Sequence, residues 1–134
     1  MIKAIHASGK RKTSIARATL RPGNGLVRIN KVPVSFVHPR MSMLKLSEPL
    51  LLAGDVAAKV DIDVNVAGGG IASQAEASRL AIAKALVGYT KNDKLKEIFL
   101  NYDRNLLVAD VRRKEPSKPN RHGQARSKVQ KSYR

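Results

Sequence analysis

Val56, Ala58, Val60, Ile62, Val64 and Val66 take every second place in their stretch of the chain, and after Ala57 the places between them go to Lys59, Asp61, Asp63 and Asn65. Side chains of an extended chain point to opposite faces in turn, so this pattern predicts a strand with one apolar and one polar face. Such a strand needs a sheet beside it and a second layer over its apolar side. Gly68-Gly69-Gly70 ends it. Ile71 to Val87 follows with Ala75, Ser78, Ile82 and Leu86 at helical spacing and alanines throughout, which suits close packing on a sheet or another helix. Ser73 and Glu76 have capping-box spacing, with room for a helix that begins a turn earlier.

The flanking segments add elements to this frame. Thr13 to Leu20 alternates as a second strand, and Arg21-Pro22-Gly23-Asn24-Gly25 is dense in turn residues before the β-branched run Leu26 to Ile29, so a hairpin carrying Arg17, Arg21 and Arg28 is predicted. Pro33 opens a short helical turn over Val34 to Val37. Met41, Leu44, Leu46, Leu50, Leu51 and Leu52 make a crowded apolar helix ending near Gly54, in which Pro49 marks a kink or a restart. Asn92 or Asp93 caps a last helix, Lys94 to Tyr102, with Leu95, Ile98, Phe99 and Tyr102 on one face.

Charge is segregated along the 134 residues. Met1 to Ser47 has ten basic and no acidic residues, Glu48 to Asp103 six and eight, and Arg104 to Arg134 ten and two, giving +10, −2 and +8 of the net +16. So much positive charge on so small a body repels itself unless a polyanion neutralises it, which makes nucleic acid the expected partner. From Arg112 onward Val129 is the only aliphatic side chain larger than alanine, and the segment holds Pro116, Pro119 and nine basic residues. It cannot bury enough apolar area to offset ordering, at about 1–2 kcal/mol per residue for the backbone, and is expected to order only against a partner. We therefore expect a globular body over residues 1–103 and an extended basic tail over 104–134, with a reach on the order of 100 Å at about 3.3 Å per residue.

Several chemistries are set aside. Without cysteine there is no disulfide and no thiolate metal site. His6, His38 and His122 share no ligand spacing, so neither metal nor cofactor is expected. The glycine triplet lacks the Lys-Ser or Lys-Thr of a phosphate loop. Asp61 and Asp63 read as solvent-facing acids on a half-buried strand rather than as an acid-base pair. No candidate catalytic site is left, and an enzyme is not expected. Met1 to Lys10 has no apolar stretch of signal-sequence length and Leu50 to Ala53 is too short to span a bilayer, so a cytoplasmic protein is expected. Few aromatics argue against base-stacking readers, so recognition should run through phosphates and RNA shape.

For RNA contact the candidates are Lys10, Arg11 and Lys12, read as a loop with Ser8, Thr13 and Ser14; the hairpin arginines Arg17, Arg21 and Arg28; and the tail cations Arg112, Arg113, Lys114, Lys118, Arg121 and Arg126. Two other classes fit a small basic chain. An RNA-processing protein like the ribonuclease P subunit would need an acidic site or a different basic helix motif, and a DNA-compacting protein would prefer duplex DNA.

Gly68-Gly69-Gly70-Ile71-Ala72-Ser73-Gln74-Ala75-Glu76-Ala77-Ser78-Arg79-Leu80-Ala81-Ile82-Ala83-Lys84-Ala85-Leu86 resembles the signature of the universal small-subunit ribosomal protein S-nine family. Gly9 to Ala18 and Ala125 to Arg134 support the resemblance, which covers essentially the whole chain. It implies an α+β two-layer sandwich like the second domain of ribosomal protein S-five, with a left-handed crossover, bound to ribosomal RNA in the head of the small subunit beside neighbouring ribosomal proteins. It also implies a tail that reaches transfer RNA in the peptidyl site. There Arg134 is the terminal cation, with Lys128 and Lys131 as helpers. The bacterial ending Ser-Lys-Arg is replaced by Ser132-Tyr133-Arg134, similar to archaeal and eukaryotic members, so Tyr133 would contribute stacking or a hydroxyl hydrogen bond.

Overall fold

The computed structural model describes residues 4–127 and Ser132. Five strands form one sheet: β1 (Ile5–Arg11), β2 (Ser14–Pro22), β3 (Val27–Ile29), β4 (Val32–Pro33) and β5 (Val60–Ala67). Their order across the sheet is β1-β2-β5-β3-β4, antiparallel except for the parallel pair β3 and β5. Three helices complete the second layer: α1 (Arg40–Ala53), α2 (Ile71–Thr90) and α3 (Asp93–Tyr102). α2 lies across β1, β2 and β5, with α1 beside it and α3 against both. The α+β two-layer arrangement is the one expected.

The alternation read from the sequence becomes burial directly. Val60, Ile62, Val64 and Val66 of β5 and Ser14, Ala16, Ala18 and Leu20 of β2 face the helices, and their intervening neighbours face outward. The strand is shorter at its start than predicted, however, because Gly54–Lys59 forms a 3-10 turn in which Val56 and Ala57 are partly buried against the core. Its partner strand explains this: β2 ends at Pro22, opposite Val60, so residues before Lys59 have no ladder to join.

The predicted hairpin of β2 with β3 does not form. β5 lies between them, and the connecting loop is organised around a β5 side chain, since Asp61 Oδ1 accepts from the Asn24 and Leu26 amides at 2.9 Å each. Those bonds, Leu26 first and then Asn24, hold the Asp61 carboxyl below its ordinary value. A Cβ on Gly23 would lie about 2.1 Å from that carboxylate, so a side chain there would displace Asp61 from the loop amides. Asp61 is therefore the anchor of a loop and not simply a solvent-facing acid.

β1 is an element the sequence reading missed. Lys10 and Arg11, taken there for a loop, are its last two residues. Pro49 is accommodated inside α1 without ending it. Asn92 caps α3, its side chain accepting from the Lys94 amide at 3.0 Å.

Candidate nucleic-acid interface

Arg11 and Ser14 pair across the β1–β2 ladder, which leaves Lys12 and Thr13 as a two-residue turn with Lys12 in the left-handed region at φ 53°. The turn is fixed from below. Buried Ser14 donates from Oγ to the Gly68 carbonyl at 2.8 Å and lies 3.1 Å from Ser73 Oγ, while Ser73 Oγ accepts from the Gly70 amide at 3.1 Å. The glycine triplet thus lets the β5–α2 connection pass against Ser14: a Cβ on Gly69 would sit 2.1 Å from its hydroxyl, and Gly69 has φ +65°. Lys12 is left exposed beside the first turn of α2.

From the other side comes the start of the tail. After α3 a 3-10 turn, Arg104–Leu106, buries Leu106 in the core, and the chain then runs back toward the β1–β2 turn. Two carboxylates meet it there. Glu76 accepts from Arg11 Nε at 2.8 Å and Lys45 Nζ at 3.0 Å, and Asp110 lies 3.4 Å from Arg11 Nη1 and 2.7 Å from Arg112 Nη2. A second pair of ion pairs, Arg79 to Glu48 and Arg79 to Asp103, the latter at 3.1 Å, ties α2 to α1 and to the cap of the 3-10 turn. These residues line a cavity of about 330 Å³.

Arg11 and Arg79 are nearly enclosed, with 14% and 12% of their side-chain surface open. Arg11 is therefore placed in an internal network, unlike its exposed neighbours Lys10 and Lys12. No sequence signal marked this role. Burial opposes ionisation of Glu76, yet the hydrogen bonds and charges of Lys45 and Arg11 outweigh it and hold the carboxyl below the usual range. Asp110 is held well below its usual range by side-chain and backbone hydrogen bonds from Arg112, aided by Arg11.

Both groups are carboxylates whose folded-state values are depressed. Their stabilisation is complete above the ordinary values of 4.5 and 3.8 and is lost as pH falls through the lowered ones. Glu76→Gln is expected to cost about 1–2 kcal/mol at neutral pH, less than the 3–5 of a fully enclosed pair because a third of Glu76 is open to water. Urea midpoints measured from neutral pH down through the acid range should fall less steeply for the variant, and parallel curves would disprove the assignment.

The network holds the tail root so that Arg112, Arg113 and Lys114 face Lys12 and Thr13 across a groove. The six residues lining it are these five and Arg11, and no carboxylate is among them. A second cationic surface is the open face of the sheet. Register places Arg17 between Ser8 and Asn65, and Arg21 opposite Asp61. Arg17 and Arg21 are exposed and make no ion pair among the described residues. Arg28 differs, since its Nε pairs with Asp63 at 2.7 Å, which raises its pKa and offsets its charge locally.

Further along, Arg126 and Lys118 reach Glu115 at 3.0 and 3.9 Å, and Arg121 donates to the Ala125 carbonyl. Residues 107–127 contain no helix or strand, and 111–123 are exposed throughout. Lys128, Lys131, Tyr133 and Arg134 lie outside the described residues. Among the described residues no cluster of His, Cys, Asp or Glu could hold a metal ion, and no helix is long and apolar enough to cross a membrane.

Residues 9–134 match the family described as ribosomal protein S9/S16. The small ribosomal subunit protein uS9 of Methanococcus maripaludis is 50% identical over 134 residues, covering 99% of this chain and 100% of that protein. That of Desulfurococcus amylolyticus is 54% identical over 133 residues, covering 99% and 94%. That of Methanococcus vannielii is 48% identical over 134 residues, covering 99% and 100%.

Proposed function

The chain belongs to the ribosomal protein S9/S16 family, and from that premise we propose that it grips small-subunit ribosomal RNA at the groove between its β1–β2 turn and its tail root. Its coarse role is that of a structural component of the small ribosomal subunit rather than an enzyme. The observation that carries the finer reading is the composition of the groove: cations from residues about 100 apart in sequence meet there, and while Arg11 and Arg112 are paired with Asp110, Lys12, Arg113 and Lys114 make no ion pair among the described residues. Folding has concentrated charge at a cost in self-repulsion that a phosphate backbone would relieve.

In this reading residues 1–103 are the body and 104–134 the tail, whose first residues, through Leu106 and Asp110, are packed onto the body and set its direction. Lys12, Arg112, Arg113 and Lys114 make the primary phosphate contacts. Lys10, Arg17 and Arg21 supply a second surface, and Lys118, Arg121 and Arg126 continue along the RNA. Arg11 acts chiefly by holding the tail root, and Arg28 contributes once a phosphate displaces Asp63.

The end of the tail serves a separate purpose. Lys128, Lys131, Tyr133 and Arg134 approach transfer RNA in the peptidyl site of the cytoplasmic ribosome, with Arg134 pairing to a phosphate and Tyr133 stacking or donating its hydroxyl. Subunits reconstituted with a chain ending at Lys131 are expected to assemble normally and to hold peptidyl-site transfer RNA about tenfold more weakly, the worth of one charge-assisted contact of roughly 1.4 kcal/mol. Filter binding measures this, and unchanged retention would refute the transfer RNA contact while leaving the groove untouched.

A further inference from the structure

Seven of the 14 residues of α1 are leucine or methionine. A helix apolar on all sides is normally enclosed, yet α1 turns Ser42, Leu46, Pro49 and Ala53 inward. Leu46 is enclosed and Met43, Leu50 and Leu52 are partly buried against the core, but three large side chains point the other way: Met41, Leu44 and Leu51 leave 66%, 45% and 79% of their surface open. Leu44 and Leu51 are two turns apart and Met41 precedes Leu44 by three residues, so they form a single stripe. Phe36, 69% exposed in the 3-10 turn packed against α1, extends it. Large apolar side chains left open together on one helix face mark interaction with another protein.

The surrounding charge decides which partner fits. Lys45, beside the stripe, and Glu48, one turn from both Leu44 and Leu51, are occupied by Glu76 and Arg79. Arg40, at the helix start, is the one charged residue of α1 that is exposed without an ion pair among the described residues, and Asp55, four residues after Leu51, is an exposed carboxylate likewise without one. RNA would gain little here, having phosphates to neutralise and finding one cation. A second copy would bring +16 against +16. We propose that the stripe docks a different protein of the small subunit, one that lays apolar side chains against Met41, Leu44 and Leu51 and offers a carboxylate to Arg40. The inference takes its setting from the ribosomal reading but depends on none of the RNA contacts.

A photo-crosslinking residue, benzoylphenylalanine, placed at position 51 or at position 114 of the full chain and assembled into small subunits tests it. The position-51 adduct should survive ribonuclease, disappear on proteolysis, and contain a peptide of another protein. An RNA adduct, a self-adduct or no adduct overturns the proposal. The position-114 adduct should be lost to ribonuclease, and its failure would count against the groove alone. In parallel, Leu44→Gln/Leu51→Gln should keep the urea midpoint and the RNA affinity of the free chain. Its occupancy in subunits assembled in competition with the unaltered chain should fall about tenfold. Equal occupancy, or a lowered midpoint showing that these leucines support the fold itself, overturns it as well.

Discussion

Gly9→Val is expected to abolish cooperative folding of the body. A Cβ at Gly9 would stand 2.2 Å from the Ala77 carbonyl oxygen and 2.8 Å from the Ala81 amide nitrogen, both backbone atoms of α2. Neither can rotate aside, so β1 and α2 would have to separate. β1 is held by seven successive pairs to β2, and α2 is buried along much of its length, with Ala77, Ala81, Ile82, Ala83, Ala85 and Leu86 fully enclosed. Overpacking costs about 1–3 kcal/mol where side chains can adjust and more where backbone must move. Stability for a domain is only about 5–15 kcal/mol. Gly88→Ala supplies the opposite sign within the same helix: the nearest atom to its Cβ would be Ile5 Cγ2 at an ordinary 3.6 Å, and replacing a helical glycine should add roughly 0.5–1 kcal/mol. Urea denaturation followed by far-ultraviolet circular dichroism checks both. A Gly9→Val curve that overlays the unaltered one would show that the strand and helix do not pack as described.

The same contact explains why β1 was hard to read from its residues. Its inward positions are Ile5, Ala7 and Gly9, and two of the three are small because α2 lies directly on them, so the alternation that announces a buried face is missing. β5, on which α2 presses less than on β1, shows its face in valines and an isoleucine. Helices α2 and α3 were legible from spacing and from Asn92, and the glycine triplet from its position between strand and helix. The order of strands was not, because a local turn at Gly23-Asn24-Gly25 suggests a hairpin equally well whether the neighbouring strand pairs directly or admits a third. The contact that decides the matter, Asp61 to the loop amides, joins residues 35 and 37 positions apart.

The candidate interface divides in the same way. Which residues are cationic is written in the sequence; which cations are available is not. Arg11 and Lys12 are adjacent, yet one is drawn into carboxylates on α2 and the tail root while the other stands in solvent, and the carboxylate Arg11 meets on α2 is 65 residues away. Strand alternation alone separates Lys10 from Arg11, and the turn then presents Lys12. Asp110 is one of only two acidic residues in the tail, and nothing in the sequence marks it as the point where the tail is fastened; that needs the fold.

Availability leads to the sharpest expectation for RNA binding. Lys12→Gln/Arg113→Gln/Lys114→Gln removes three exposed groove cations that make no ion pair among the described residues and leaves Arg11, Arg112 and their carboxylates in place. If each neutralises one phosphate, the slope of log affinity against log salt should flatten by roughly 2.1–2.7, from about 0.7 per contact on single strands to 0.9 on duplex. Extrapolated from a 1 M reference, that is a loss of roughly 100- to 500-fold at 0.1 M salt. Lys91→Gln/Lys94→Gln/Lys96→Gln removes the same charge from exposed positions at the end of α2 and the start of α3, outside the groove. Counterion release is local to the phosphates actually contacted, whereas long-range attraction follows total charge and is screened beyond about 10 Å at 0.1 M salt. The two triple variants therefore separate the alternatives: unequal slopes, with the groove variant the flatter, place the contact where the turn meets the tail, and equal slopes would reduce the groove to a share of the general positive charge.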